Sequence, residues 1–123
     1  MQSKKLALLC RDLAENKKAE NVVILDLRKL SDVTDFFVIA SATSEPQLRA
    51  IESELLGTLR DQYQLRPNAT DGHGQASWIV ADFFDVIVHL MKPEVRDRYD
   101  LEGLWSDAPR LTRARRGKAA LEA

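Results

Sequence analysis

A chain of 123 residues, 45% hydrophobic and 30% charged, has the size and composition of one ordinary globular domain with room for a single core. The formal charge of −1 is unevenly spread: residues 110–123 carry five basic residues against Glu122, which leaves a body of 13 basic and 18 acidic groups. Such a body is repelled by bare phosphate backbone, which argues against non-specific nucleic-acid binding outside the tail, and no apolar run approaches the roughly 20 residues that cross a bilayer.

The first segment places Leu6, Leu9, Cys10 and Leu13 at i, i+3, i+4 and i+7, the spacing of an amphipathic helix through about Lys18, with Ser3 available as its cap. Cys10, the single cysteine, excludes an internal disulfide, suits a reducing compartment and falls on the apolar stripe, where it reads as core. Asn21–Leu27 is a β-branched run apolar on both sides of the pleat, and Phe36–Ala40 repeats the pattern; both are predicted as interior strands. At Ser44 the signals for a helix start coincide: an N-cap serine, Gln47 three residues on to close a capping box, and Pro46 in the first turn. That helix presents Leu48, Ile51, Leu55, Leu59 and Tyr63 to the sheet, with Arg49, Glu52, Glu54, Arg60 and Asp61 toward water.

Residues 66–76, rich in Pro, Asn, Asp and Gly, predict a short edge strand and a turn. Trp78–Asp82 and Val86–Leu90 flank Phe83-Phe84-Asp85 as a hairpin, Pro93 stops the second of these strands, and Glu94–Trp105 holds one or two short helices. The order is αββαβββα, an α/β fold with a mixed sheet of about five strands flanked by helices. The boundary is drawn at residue 109: residues 1–109 form the domain, and residues 110–123 form a basic tail without an apolar stripe, expected to be flexible in isolation.

A search for chemistry finds little. His73 and His89 are the only histidines; no serine lies in a G-x-S-x-G elbow, and one cysteine with two histidines 16 residues apart matches no common metal-ligand spacing. Gly72-His73-Gly74 is neither a Walker loop nor a dinucleotide fingerprint, and His73 reads as a solvated loop residue. The capping turn Ser41–Ser44 points amides at one spot but reads as an ordinary helix start. Asp26 and Asp35 are candidate magnesium ligands by residue type alone. His89 interrupts an aliphatic strand; it is either a half-exposed position hydrogen-bonded to a neighbour or a contact residue. Trp78, Phe83, Phe84, Tyr99 and Trp105 cluster in the last half of the domain among Asp82, Asp85, Arg96, Arg98, Glu102 and Asp107, the mixture of aromatic anchors and polar rim that marks protein-binding surfaces.

Val23–Arg28, Leu30-Ser31, Thr34–Ser41, Thr43–Glu45, Trp78, Asp85–His89 and Arg98–Ala108 together resemble, in order and spacing over residues 5–109, the ribosomal silencing factor family, also called Iojap-like proteins. The resemblance implies a cytoplasmic factor that binds the large ribosomal subunit through its basic ribosomal protein fourteen and prevents subunit joining when nutrients are scarce. It implies a nucleotidyltransferase-like fold without the catalytic carboxylates, no metal and no cofactor, and it leaves open a homodimer. The acidic body suits a basic protein target. Two positions depart from the family pattern: Phe84-Asp85 stands where Gly-Asp is common, and Tyr99-Asp100 where two tyrosines are common.

The expected contact surface comprises Trp78, His89, Arg98, Tyr99, Leu101 and Trp105, with Asp85 and Glu102 supplying charge complementarity, and no catalytic residues. The basic tail is either a solvated extension or a contact to ribosomal RNA. The competing readings are a large-subunit assembly factor and a metal-dependent nucleotidyltransferase.

Overall fold

The computed structural model describes residues 1–72 and 76–112. The expectations for His73 and for the tail from Arg113 onward lie outside the described residues. The elements follow in the order α1 (Ser3–Asn16), β1 (Glu20–Asp26), β2 (Phe36–Ser41), α2 (Glu45–Tyr63), β3 (Ala69–Asp71), β4 (Trp78–Asp82), β5 (Val86–Met91), α3 (Pro93–Tyr99) and α4 (Leu101–Leu104). One five-stranded sheet runs β1-β2-β5-β4-β3. It is mixed as expected: β2 and β5 pair in parallel, and the other neighbours are antiparallel.

Period-two alternation sends the strand residues to two different cores. Ile24, Val38, Ala40, Ile79, Val88 and Leu90 face α1 and α2, where they pack against Leu6, Cys10, Leu13 and the α2 residues Leu48, Ile51, Leu55 and Leu59. The opposite face holds a smaller cluster of Leu25, Ile39 and Met91 with the partly buried Val23, Phe37 and Trp78, covered by Val95, Leu101, Trp105 and Ala108. Two long helices cover one face completely, and two short ones cover the other in part.

β1 departs from expectation: it is an edge strand. Its side chains are apolar on both sides because both faces are packed, and its free edge is closed by the C-terminal segment. Pro109 accepts a hydrogen bond from Asp26 N–H at 2.8 Å, Leu111 N–H donates to Ile24 at 3.0 Å, and Arg110 bridges Leu25. Pairing with the body thus continues past residue 109, through Leu111.

The helix starts also differ from expectation in detail. Ser44 caps α2 by accepting from Gln47 N–H at 3.2 Å, but Gln47 does not close the box. Its side-chain amide donates instead to the carbonyls of Lys17 and Lys18 at 3.4 and 3.1 Å, tying the start of α2 to the end of α1. Ser3 is inside α1 rather than its cap, and its hydroxyl donates to Asp35 at 2.7 Å. Glu52 is buried rather than solvated, whereas Tyr63, at the end of the α2 stripe, is exposed.

Candidate docking face

The partly covered face of the sheet places the aromatic residues together. Register sets Trp78 opposite Met91, Val80 opposite His89 and Asp82 opposite Ile87, while Ile39 and Phe37 lie beside His89 and Ile87 on the other flank of β5. Trp78 Nε1–H donates to His89 Nδ1 at 3.1 Å. A ring nitrogen that accepts is unprotonated, so His89 carries its proton on Nε2. Phe37 meets the imidazole edge-on at 4.6 Å and reaches Trp105 at 6.2 Å, and Tyr99 tilts onto Trp78 at 4.9 Å. These are the separations of favourable aromatic pairs, each adding about 0.5–1.5 kcal/mol beyond burial.

His89 is buried rather than half-exposed, at 7%. Burial disfavours its charged form and pushes the imidazole down from 6.5 to about 4. Its Nε2 finds no hydrogen-bond partner among the described residues. His89 therefore positions the wall from beneath by holding the Trp78 indole.

A second device fixes the helices above the sheet. Arg96 is buried; its guanidinium clamps Glu102 through Nε and Nη2 at 3.3 and 2.9 Å and reaches Ser41 Oγ through Nη1 at 2.8 Å. The bidentate arginine holds the Glu102 carboxyl below its ordinary range. α3, α4 and β2 are thereby joined. Asp100, left-handed at φ 44°, ends α3 and caps α4 by accepting from Gly103 N–H at 3.1 Å; a Cβ on residue 103 collides with that carboxylate. On the other side of Trp78, Gly72 at φ 97° lets the chain approach the Trp78 carbonyl more closely than any side chain allows.

Of the residues singled out from the sequence, Trp78, His89 and Tyr99 are in direct contact, and Leu101 and Trp105 pack in the same cluster. Tyr99 is 49% exposed, and Arg98 is exposed beside it. Glu102 is partly buried and engaged by Arg96. Asp85 is not with them: it is exposed in the β4–β5 turn, whereas α3 follows from the other end of β5. Leu104, 74% exposed on α4, and Phe37 were not among the expected contact residues, and Arg96, read from the sequence as part of a polar rim, is buried. Leu101 and Leu104 stand three apart, and that spacing does not tell which leucine faces out on a helix of one turn.

Elsewhere, Asp26 is held below its ordinary range by the Arg28 side chain, which donates to both of its carboxylate oxygens at 3.0 and 2.7 Å. Asp35 accepts from Ser3. Among the described residues no group of three or more His, Cys, Asp and Glu side chains converges as a metal site. No helix there is long and apolar enough to cross a membrane.

The family model described as ribosomal silencing factor during starvation matches residues 1–122. The ribosomal silencing factor RsfS of Halalkalibacterium halodurans is 38% identical over 109 residues, covering 89% of this chain and 92% of that protein. The Bacillus subtilis factor is 32% identical over the same shares. A mouse protein named for mitochondrial assembly of the ribosomal large subunit is 30% identical over 97 residues, 76% of this chain and 42% of its own length. Among solved structures, a Chromobacterium violaceum protein superposes with a TM-score of 0.82 at 29% identity, covering 86% of this chain and 88% of its own. A Bacillus halodurans protein gives 0.76 at 34% identity, covering 89% and 99%. The chain belongs to the family of ribosomal silencing factors.

Proposed function

We propose that the chain represses translation by steric exclusion: it docks on the large ribosomal subunit through the basic ribosomal protein fourteen and keeps the small subunit from joining. The carrying observation is the aromatic wall of Trp78, His89, Phe37 and Trp105 on the partly covered sheet face, with Tyr99 exposed and tilted onto Trp78 and Leu104 exposed on α4, next in the chain to Trp105. Its braces are internal, so the wall is set before a partner arrives, and a preformed aromatic surface loses little freedom on binding. The acidic body favours a basic protein neighbour. Trp78, Tyr99, Leu101, Leu104 and Trp105 form the contact area, Arg98 borders it, His89 acts through Trp78, and Glu102 acts through Arg96. Asp85 lies at the far end of the sheet and contributes charge there. No bond is made or broken in this reading, no cofactor takes part, and the protein acts in the cytoplasm.

Co-sedimentation with purified large subunits, small subunits and joined ribosomes tests it. Binding to large subunits with loss of joined particles is the expected result. Binding to small subunits alone, or none at all, overturns it. The mouse relative's name favours a second reading, a role in large-subunit assembly through the same face. Accumulation of immature large-subunit precursors in a deletion strain growing in rich medium supports that role over starvation silencing.

A further inference from the structure

The aromatic wall holds only two of the seven exposed large apolar side chains among the described residues, Tyr99 and Leu104. The other five, Met1, Leu30, Val33, Tyr63 and Phe84, gather at one end of the sheet. β1 ends there and β2 begins there. α1 starts there, since Ser3 bonds to Asp35, and α2 finishes there, since Asn68 N–H donates to the Asp82 carbonyl at 2.7 Å. The β4–β5 turn lies against the same loop, because the Asp85 carbonyl accepts from Asp35 N–H and Phe36 N–H at 2.9 and 3.0 Å.

Phe84, at the tip of that turn, is the residue that folding does not explain. Its φ is 71°, and Asp85 N–H closes a tight three-residue turn around it by donating to Phe83 at 2.9 Å, a geometry that is rare and strained. The other non-glycine residues at positive φ are Lys18, Asn21, Gln64 and Asp100. All are polar, and Asn and Asp tolerate this region. A bulky aromatic there is an outlier, and the fold recovers little from it, because Phe84 is 64% exposed while its neighbour Phe83 is buried. Strain retained without a packing return clusters at functional positions.

The surroundings state what fits. Asp32 and Asp85 are exposed and Asp82 partly so, and none of the three forms an ion pair among the described residues. Of the bases in the two loops beside Phe84, Arg28 is held by Asp26, which leaves Lys29; the other exposed bases at this end, Lys4, Lys5 and Arg66, stand on the start of α1 and the exit of α2. Asp82 accepts from Phe84 N–H at 2.7 Å and so holds the turn, while its charge, like those of Asp32 and Asp85, is not neutralised by such an ion pair; an apolar tip beside these carboxylates complements a basic protein surface. The area is also continuous with the wall: Asp82 pairs with Ile87, Ile87 lies beside Phe37, and Phe37 touches Trp105.

We propose that this end of the sheet is a second contact area for the same basic partner, with Phe84 as its apolar anchor. The proposal rests on the docking reading above and extends it to residues that the aromatic wall does not include. Phe84→Gly and Phe84→Asn both accept positive φ, so both should keep or raise the melting temperature while weakening affinity for purified large ribosomal subunits at least tenfold. Because the lost contact is apolar, the dependence of affinity on salt should keep its slope; a shallower slope would assign the site to RNA phosphate and overturn the proposal. Affinity within twofold of the parent for both variants, or a melting temperature lowered by several degrees in both, also overturns it. If the unaltered chain fails to bind large subunits, the docking reading itself falls; if it binds and both variants bind equally well, only the Phe84 anchor falls.

Discussion

Acidification from pH 7.5 to 5 tests the burial of His89. The folded imidazole titrates at about 4 against an ordinary 6.5, so the unfolded chain takes up a proton that the folded chain refuses. Stability from this group is fully present above pH 6.5 and is lost as pH falls toward 4. At pH 5 the loss amounts to about 2 kcal/mol, from about 1.4 kcal/mol per pH unit across that window. For a chain of this size that is a drop of roughly 8 °C in melting temperature. The carboxylates held low by arginine partners, Asp26, Glu45, Asp61 and Glu102, begin to lose their share as pH falls into the ordinary carboxylate range and lose most of it below that range, beneath the interval measured. Urea melts at pH 7.5, 6 and 5 read the effect as a falling midpoint at constant slope. His89→Gln retains His73 and keeps an amide acceptor for Trp78 but cannot titrate, so its profile should be flat over the same interval. An unaltered chain equally stable at pH 7.5 and 5, or a His89→Gln variant with the same pH profile as the parent, refutes the buried, neutral imidazole.

Other substitutions separate docking from folding. Leu104→Ala and Tyr99→Ala should each weaken large-subunit binding by about 2 kcal/mol or more with small change in thermal melting, whereas Trp105→Ala, in the second core cluster, should lose roughly 2 kcal/mol of stability as well. Arg96→Ala leaves Glu102 and Ser41 without their common partner and should destabilise by about 3 kcal/mol; a double-mutant cycle with Glu102→Gln should show strong coupling in denaturant melts. Ser44→Ala removes the cap of α2 and should cost about 1 kcal/mol, measured by the same melts without effect on large-subunit affinity. Cys10, buried with its thiol pushed up to about 12, should resist alkylation in the native state and react rapidly in urea.

Local chemistry was legible in the sequence. The α1 stripe, the Ser44 cap, the strand runs and the β4–β5 hairpin each follow from residues a few positions apart, because helix and strand periods and turn types are short-range. The resemblance to the silencing factors was likewise carried by residues in order, and the family model and relatives agree with it. Tertiary structure decided what depends on residues distant in the chain. Apolarity on both sides of β1 reports two packed faces and says nothing of its edge, so an edge strand closed by Pro109–Leu111 reads the same as an interior one. The Ser3 hydroxyl and the Gln47 amide were legible as capping groups, but folding brought Asp35 and the α1 carbonyls within their reach. Which aromatics face outward was fixed by where α3 and α4 land on the sheet. Arg96 sets that through contacts six residues away with Glu102 and 55 away with Ser41, and a long-range contact leaves no period in the sequence from which to read it.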